Sequence, residues 1–342
     1  MIYRVGIVGS GFGVRAHLPA FAAHPNFEVV AIASPNSAER IAKERRIPQS
    51  FSSCAEMLAS AQIDVVSVTS PPFSHREDVL ASLSARKHVI CEKPFAMNVR
   101  EAEEMLEASK ATKTATAVMH EFRWVPQRTA IKEMIDNDHL RPMREIEITQ
   151  FSRMLRGDQT ERRRGWWFQR DCGGGMAGAA LSHVVDTANW FAGRPPLTTT
   201  GLLRNAHPVR HDDEGEFESS VDDGAFAVLD YGDGLVARLT VDGTVAVESA
   251  TYAVHAENRT AVASGSNPYE MRLFSVDEEE TAELDCKPSP YQKYESVDPL
   301  VPLIMQLLDE FVKQIETGES AVPTFSEAVA TQRVLEAIGY GR

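Results

Sequence analysis

Two domains of different class are predicted: an α/β domain on a doubly wound parallel sheet, then an α+β domain with an open, mainly antiparallel sheet. Three observations carry this. Val5 to Val8 is an apolar run that enters the glycine-rich turn Gly9-Ser10-Gly11-Phe12-Gly13 and opens a helix. Nearly all-apolar strands then alternate with helical stretches as far as about residue 119, and such strands belong to a sheet covered on both faces. From about residue 143 the apolar period changes to two, the mark of strands with one wet face. A length of 342 residues suits two domains. The boundary is placed between 1–119 and 120–342, with the closing helix 325–339 able to pack back toward the first domain.

In the first turn, a tight bend at Gly9 and a side-chain-free Gly11 let backbone approach a pyrophosphate, whose charge meets the unpaired N–H groups and positive dipole end of the helix. Gly9, Ser10, Gly11, Phe12 and Gly13 are therefore candidate dinucleotide contacts in a Rossmann-type fold. The spacing G-x-G-x-x-G would place a glycine at 14, where Val14 stands, so an altered helix-on-strand packing is expected rather than loss of the site. A helix from Val14 to about His24 and a strand Phe27–Ala33 complete a βαβ unit. After that strand come Ser34-Pro35-Asn36-Ser37, with Arg40 a turn further on. An acid here would hold the adenine ribose hydroxyls and repel a 2′-phosphate, whereas Ser34, Asn36 and Arg40 would accept one; NADP is expected ahead of NAD. The plainer alternative makes Asn36 or Ser37 a helix cap and Arg40 a solvated charge.

The alternation continues. Ile63–Thr69 reads as a third strand ended by Ser70-Pro71-Pro72, and Ser74-His75-Arg76-Glu77 as a capping box opening a helix to about Arg86. Lys87–Cys91 is a fourth strand followed by Glu92-Lys93-Pro94, Asn98-Val99-Arg100-Glu101 caps the next helix, and Thr114–Met119 is a fifth strand. The carboxyl ends of these strands would gather the Gly9 turn, Ser34, Ser70–Pro72 and Glu92–Pro94, where such sheets bind their ligands. In the second domain Arg144–Phe151 alternates, and Ala225–Tyr231 and Leu235–Val241 face each other across Gly232-Asp233-Gly234, a hairpin signal. Further strands are expected near 197–204, 247–257 and 268–275.

A net charge of −14 disfavours nucleic acid and anionic membrane as partners. The cysteines at 54, 91, 172 and 286 lack metal-ligand spacing, Cys54 and Cys91 read as buried fillers, and no metal is expected. His211–Glu216 reads as a solvated turn rather than a metal site. No apolar run approaches membrane-spanning length and Met1 leads directly into the first strand, so a cytoplasmic protein without signal peptide is the expectation.

Glu92-Lys93-Pro94 at a strand end, with Thr69–Pro72 and His75 upstream, resembles the Gfo/Idh/MocA oxidoreductase family, which includes glucose-fructose oxidoreductases and inositol dehydrogenases. His120-Glu121-Phe122-Arg123-Trp124-Val125-Pro126, Gly165-Trp166-Trp167-Phe168 before Gly173–Gly175, Ser182-His183-Val184-Val185-Asp186 and Val221-Asp222-Asp223 extend the likeness along nearly the whole chain. The resemblance implies hydride transfer between nicotinamide C4 and a carbinol or keto carbon of a sugar or cyclic polyol. It makes Lys93 the donor that polarises the reacting oxygen and His183 the acid/base. It also implies cofactor contacts from Ser70, Pro71, Pro72, His75, Glu92, Lys93, Arg123 and Trp167, and substrate contacts from Lys93, Arg123, Trp124, Trp166 and His183. A homodimer or homotetramer through the second-domain sheet follows from the same likeness.

One departure stands out. The family pattern has an Asp four residues before the histidine, and this chain has Ala179, with Leu181 where Gly is common. Asp186 is an alternative partner for His183. Ala179 keeps open a non-catalytic NAD(P)-binding sensor of the same fold, and beside it an NAD-dependent glycoside hydrolase.

Overall fold

A computed structural model describes residues 1–160, 162–265, 268–276, 282–319 and 321–341, which form two compact units. The first comprises Met1–Glu121 with Ser289–Val329, the second Phe122–Pro288 with Ala330–Arg342.

In the first unit, β1 (Tyr3–Val8), β2 (Phe27–Ala33), β3 (Gln49–Phe51), β4 (Val65–Val68), β5 (His88–Cys91) and β6 (Thr116–Val118) form one six-stranded sheet in the order β3-β2-β1-β4-β5-β6. Every pairing is parallel. The chain fills one side of β1 and then the other, so the strand order reverses between β1 and β4, the point at which doubly wound sheets take ligands. Buried Val66, Val68, Val89 and Val118 pack with Met57, Val79, Leu83 and Met105 from covering helices.

Three local expectations change. β3 was not anticipated, being three residues long with two of them polar. The helix expected to open at Ser74 starts at Pro72, with Ser74 N–H donating to Pro71 O at 2.9 Å; proline suits the first helical position, and its fixed φ sets the start two residues early. The helix expected from Val14 begins as a π turn, Gly13–His17, before continuing as α-helix Leu18–Ala23. Asn98 caps its helix as read, accepting from Glu101 N at 3.0 Å while the Glu101 carboxylate accepts from Met97 N.

Residues 289–329 belong to the first unit, whereas the sequence reading placed them in the second. Helix Val301–Thr317 buries Ile304, Leu307, Leu308 and Phe311 and lies against Leu18–Ala23. Arg15 pairs with Asp298 at 2.9 Å, Val118 N–H donates to Pro323 O at 2.9 Å, and the Phe95 and Phe325 rings stand 4.5 Å apart.

In the second unit, β7 (Met143–Phe151), β8 (Thr198–Arg204), β9 (Val209–Asp212), β10 (Gly215–Glu218), β11 (Gly224–Gly232), β12 (Leu235–Asp242), β13 (Ser249–Ala256), β14 (Arg259–Ser264), β15 (Glu270–Ser275) and β16 (Ala282–Asp285) follow in order. β9 and β10 form a separate hairpin; the others make an eight-stranded sheet ordered β16-β15-β14-β13-β7-β12-β11-β8. Among the described residues of this sheet only β7 with β12 pairs in parallel. The β11–β12 turn carries φ near 77° at Gly232 and Gly234, the left-handed setting that tight hairpins demand. Alternate residues Ala225, Leu229, Ala237, Leu239 and Val241 pack in one core with Val184, Val185, Ala188 and Phe191 of helix Ser182–Ala192.

Candidate active site

At the end of β1, Gly9 has a φ of 110° and its N–H donates to Ala33 O of β2 at 2.9 Å. A Cβ there would stand 2.5 Å from Thr69 O, and one on Gly13 would stand 2.1 Å from Thr69 Oγ1. Gly13 thus takes the close helix-on-strand contact that the fingerprint gives to its third glycine, so the missing glycine at 14 is compensated one residue earlier. Gly11 is different: nothing lies within 4 Å of its would-be Cβ. A bare backbone facing open space at a strand-to-helix turn fits a pyrophosphate.

At the end of β2, the Ser34 and Ser37 hydroxyls lie 2.9 Å apart, and Ser37, which precedes helix Ala38–Arg45, makes no capping bond. Asn36 is exposed. Arg40 is paired through both oxygens of Glu44 at 2.8 Å, with its side chain 65% exposed.

The ends of β4 and β5 are joined by two histidines. His75, expected at the cofactor, is 1% exposed. One ring nitrogen faces Ser70 O at 2.7 Å and the other faces Pro94 O at 3.1 Å and Phe95 O at 3.3 Å, so His75 ties the loop after β4 to the loop after β5. Burial pushes its pKa below the ordinary histidine value. His17, in the π turn, bridges Ser67 Oγ and Glu92 Oε1, each at 2.8 Å, from a fully buried position. The second oxygen of Glu92 accepts from Lys93 N at 3.1 Å. Burial alone would raise the Glu92 pKa; the hydrogen bond from His17 and the charges beside it overcome this and hold the carboxyl below its usual range. Glu92, too, is a support for the loop bearing Lys93, which is itself half-buried. The sequence reading missed His17, although its place four residues beyond Gly13 on a helix packed over the sheet was visible.

In the second unit, Gly174 lies under the Trp167 carbonyl, where a Cβ would come within 2.0 Å, and Gly175, with φ of 97°, would meet Asp222 Oδ1 at 2.5 Å. The glycine run lets these two segments touch. Asp222 Oδ2 accepts from Ala177 N at 2.6 Å and its carbonyl from Met176 N at 3.1 Å, which fixes the start of a π turn, Ala177–Leu181, leading into the His183 helix. Burial raises the Asp222 pKa to about 6. His183 is 3% exposed, its ring 4.3 Å from that of Phe122. Ala179 packs against the apolar core. It sits in the π turn, four residues before His183.

Arg123, expected at cofactor and substrate, is 5% exposed, and Asp186 grips it through two bonds of 2.8 and 2.6 Å. Asp186, weighed as a partner for His183, is a counter-ion of Arg123. Arg128, unnoticed in the sequence, lies buried between the Phe122 ring at 5.0 Å and the Tyr252 ring at 4.1 Å. No periodicity marks it, since the Tyr252 ring that it meets comes from β13, far along the chain. Trp166 is 38% exposed, Trp167 7%, and Trp124 is half-buried.

Two family models match the chain: residues 3–120 fit "Oxidoreductase family, NAD-binding Rossmann fold", and residues 129–262 fit "GFO/IDH/MocA C-terminal domain". A levoglucosan dehydrogenase of Pseudarthrobacter phenanthrenivorans is 28% identical over 200 residues, 55% of this chain and 51% of the relative. A 1,5-anhydro-D-fructose reductase of Ensifer adhaerens is 26% identical over 256 residues, 74% of this chain and 73% of the relative. The alignment spans about half the length of the first of these. Among solved structures, levoglucosan dehydrogenase in complex with NADH superposes with a TM-score of 0.88 at 22% identity, covering 100% of this chain and 97% of that one. With both halves matched in order along one chain, the protein belongs to the Gfo/Idh/MocA oxidoreductase family.

Proposed function

We propose that this chain is an NAD(P)-dependent dehydrogenase or reductase acting on a carbinol or keto carbon of a sugar or cyclic polyol. The observation that carries the reading is the glycine turn at the point of strand-order reversal, closed by Thr69 over Gly9 and Gly13 and open over Gly11. Gly9 to Gly13 would hold the pyrophosphate, Ser34 and Asn36 the adenine ribose, and the loops Ser70–Pro72 and Glu92–Pro94 the nicotinamide half. Bound there, the nicotinamide would give or take the hydride. Lys93 donates a hydrogen bond to the substrate oxygen and stabilises the charge that develops on it. His183 moves the hydroxyl proton, a role open to an imidazole because one ring nitrogen accepts while the other donates. The names of the curated relatives support a sugar or anhydro-sugar as substrate, and the partly exposed Trp166 offers a face for stacking.

NADP preference over NAD is part of the proposal. No acid follows β2, and the Arg40–Glu44 contact is an exposed pair of the kind worth about 0–1 kcal/mol, so Arg40 can leave it for a 2′-phosphate. Calorimetry with NADH and NADPH, then a panel of sugars and polyols followed at 340 nm, tests both statements; strong preference for NADH would refute the second.

Lys93→Ala and His183→Ala are expected to lower kcat by about 100-fold or more while leaving nucleotide affinity within a few fold. Near-normal turnover in both would refute these roles. Ala179 favours a second reading, a sensor that binds nucleotide without turnover. Single-turnover decay of bound NADPH with a keto-sugar excludes it; silence across the panel together with ligand-dependent nucleotide affinity establishes it. Pairing of copies through the second-unit sheet completes the proposal.

A further inference from the structure

We propose that the loop following β7 forms a binding pocket for a phosphate-bearing small molecule, with Arg153, Arg156 and Arg162 holding the phosphate. This rests on the reading above only in taking the remainder of the ligand to be a sugar.

The second unit contains a cavity of about 870 Å³ whose wall includes these three arginines with Gln159, Thr160 and Glu248. Among the described residues of this wall three guanidinium groups stand against one carboxylate, a local reversal of sign in a chain of net charge −14. Such a concavity draws anions out of a field that repels them elsewhere. Glu248 does not neutralise the site: it lies 3.7 Å from Arg153, with both side chains more than half exposed, a contact of about 0–1 kcal/mol that an anion can displace. Neither Arg156 nor Arg162 forms an ion pair with an acidic side chain among the described residues.

Arg162 is also held in place before any ligand arrives. Arg162 lies over the Trp167 ring at 4.7 Å, and that indole is itself 7% exposed. The described part of the loop is anchored at several points: Leu155 N–H donates to Gly243 O at 2.8 Å, Thr160 N–H to His211 O at 3.0 Å, and Arg164 is fixed by Asp212 through bonds of 3.0 and 2.6 Å. The buried Arg210 ties Leu155 O and Gly157 O from below, both at 3.2 Å. A loop fixed in this way loses little freedom on binding. Guanidinium forks match the oxygens of phosphate. The volume lies within the roughly 300–1,000 Å³ typical of small-molecule sites and exceeds what a bare ion fills. Gln159 and Thr160 add neutral donors and acceptors suited to sugar hydroxyls.

The test is calorimetry on the full chain saturated with NADPH, so that the glycine turn is occupied, using inorganic phosphate, glucose 6-phosphate and glucose as probes. Phosphate and glucose 6-phosphate are expected to bind, more weakly as salt rises from roughly 50 to 500 mM, and glucose 6-phosphate to exceed glucose by about tenfold or more. Arg156→Ala with Arg162→Ala should weaken both phosphorylated probes by about tenfold or more while leaving NADPH affinity unchanged. Arg156→Lys with Arg162→Lys, retaining charge, should keep most of the phosphate affinity, which separates lost contacts from lost folding. Phosphate affinity unchanged in the alanine pair, or glucose 6-phosphate no tighter than glucose, would overturn the proposal. Absence of NADPH binding would instead refute the proposed function, and phosphate titrated without nucleotide into the same variants still judges the pocket.

Discussion

Gly11 and Gly13 stand two residues apart in one turn and do different work. An alanine at 13 would drive its methyl into Thr69 Oγ1, a contact of 2.1 Å that backbone or side chain must yield to relieve. Gly13→Ala is therefore expected to destabilise the protein by about 1–3 kcal/mol in urea unfolding. Gly11→Ala meets nothing within 4 Å and should alter stability by less than about 0.5 kcal/mol, yet weaken nucleotide binding by crowding the phosphates. Equal loss of stability in both variants would refute this division. The sequence showed that glycines were needed here but not which of them faced protein and which faced open space, because Thr69 lies more than fifty positions away. The same distance hid the Ser67–His17–Glu92 chain. With its folded pKa depressed, Glu92 contributes stability that is present above the ordinary carboxylate pKa and is lost as pH falls through the lower folded value. Glu92→Gln should accordingly be less stable than the parent at pH 7, by about 1–3 kcal/mol, because the buried His17 ring loses a carboxylate partner. The gap should narrow in acid; a gap independent of pH between 7 and 3 would show that the carboxylate charge is not what matters.

Elements with strong periodicity were legible, and those defined by partners were not. The parallel strands β1, β2, β4 and β5 are apolar runs of their own, whereas Gln49–Phe51 becomes a strand only because β2 offers it a free edge. Helix Val301–Thr317 has a clear apolar stripe, but nothing in the stripe says that its cover is Leu18–Ala23, some 280 positions earlier. The entry to the His183 helix is the most consequential element that depends on a distant partner. Asp222 holds Ala177 N at 2.6 Å from a buried position, and its pKa is raised to about 6. A carboxyl whose folded pKa lies above the unfolded value favours the folded state when protonated, so its contribution declines as pH rises from about 3.8 to about 6. The shift amounts to a contribution on the order of 3 kcal/mol. Asp222→Asn keeps an oxygen for Ala177 N without the charge and should remove this component, leaving the variant more stable relative to the parent at pH 7 than at pH 4. A parent-to-variant difference that does not change with pH would mean that the folded and unfolded pKa values of Asp222 coincide.

For the whole molecule, the question raised by the second-unit sheet is what its outer face meets. Alternation puts Ala225, Ala227 and Leu229 of β11 into the core and leaves Val228 48% exposed, with Leu202 of neighbouring β8 56% exposed. On the same sheet Arg238 pairs with Glu145 and with Glu147, so charge on that face is already partly matched within the chain. A broad sheet face with apolar side chains and internally paired charges meets the physical requirements of a two-fold contact, in which each copy presents the same patch. About 800 Å² per copy would suffice for a stable pair. No described helix is long and apolar enough to cross a membrane, so those exposed apolar residues are not read as part of a spanning helix. The expected outcome is a solution mass at twice or four times that of one chain by light scattering. Val228→Glu with Leu202→Glu should shift the mass to a single chain, because four carboxylates would face one another across a two-fold axis. Nucleotide affinity should remain at the parental level, since the glycine turn belongs to the other unit. A parent that runs as a single chain, or a variant whose mass is unchanged, would refute pairing through this face, and loss of nucleotide binding on dissociation would show that assembly supports the cofactor site.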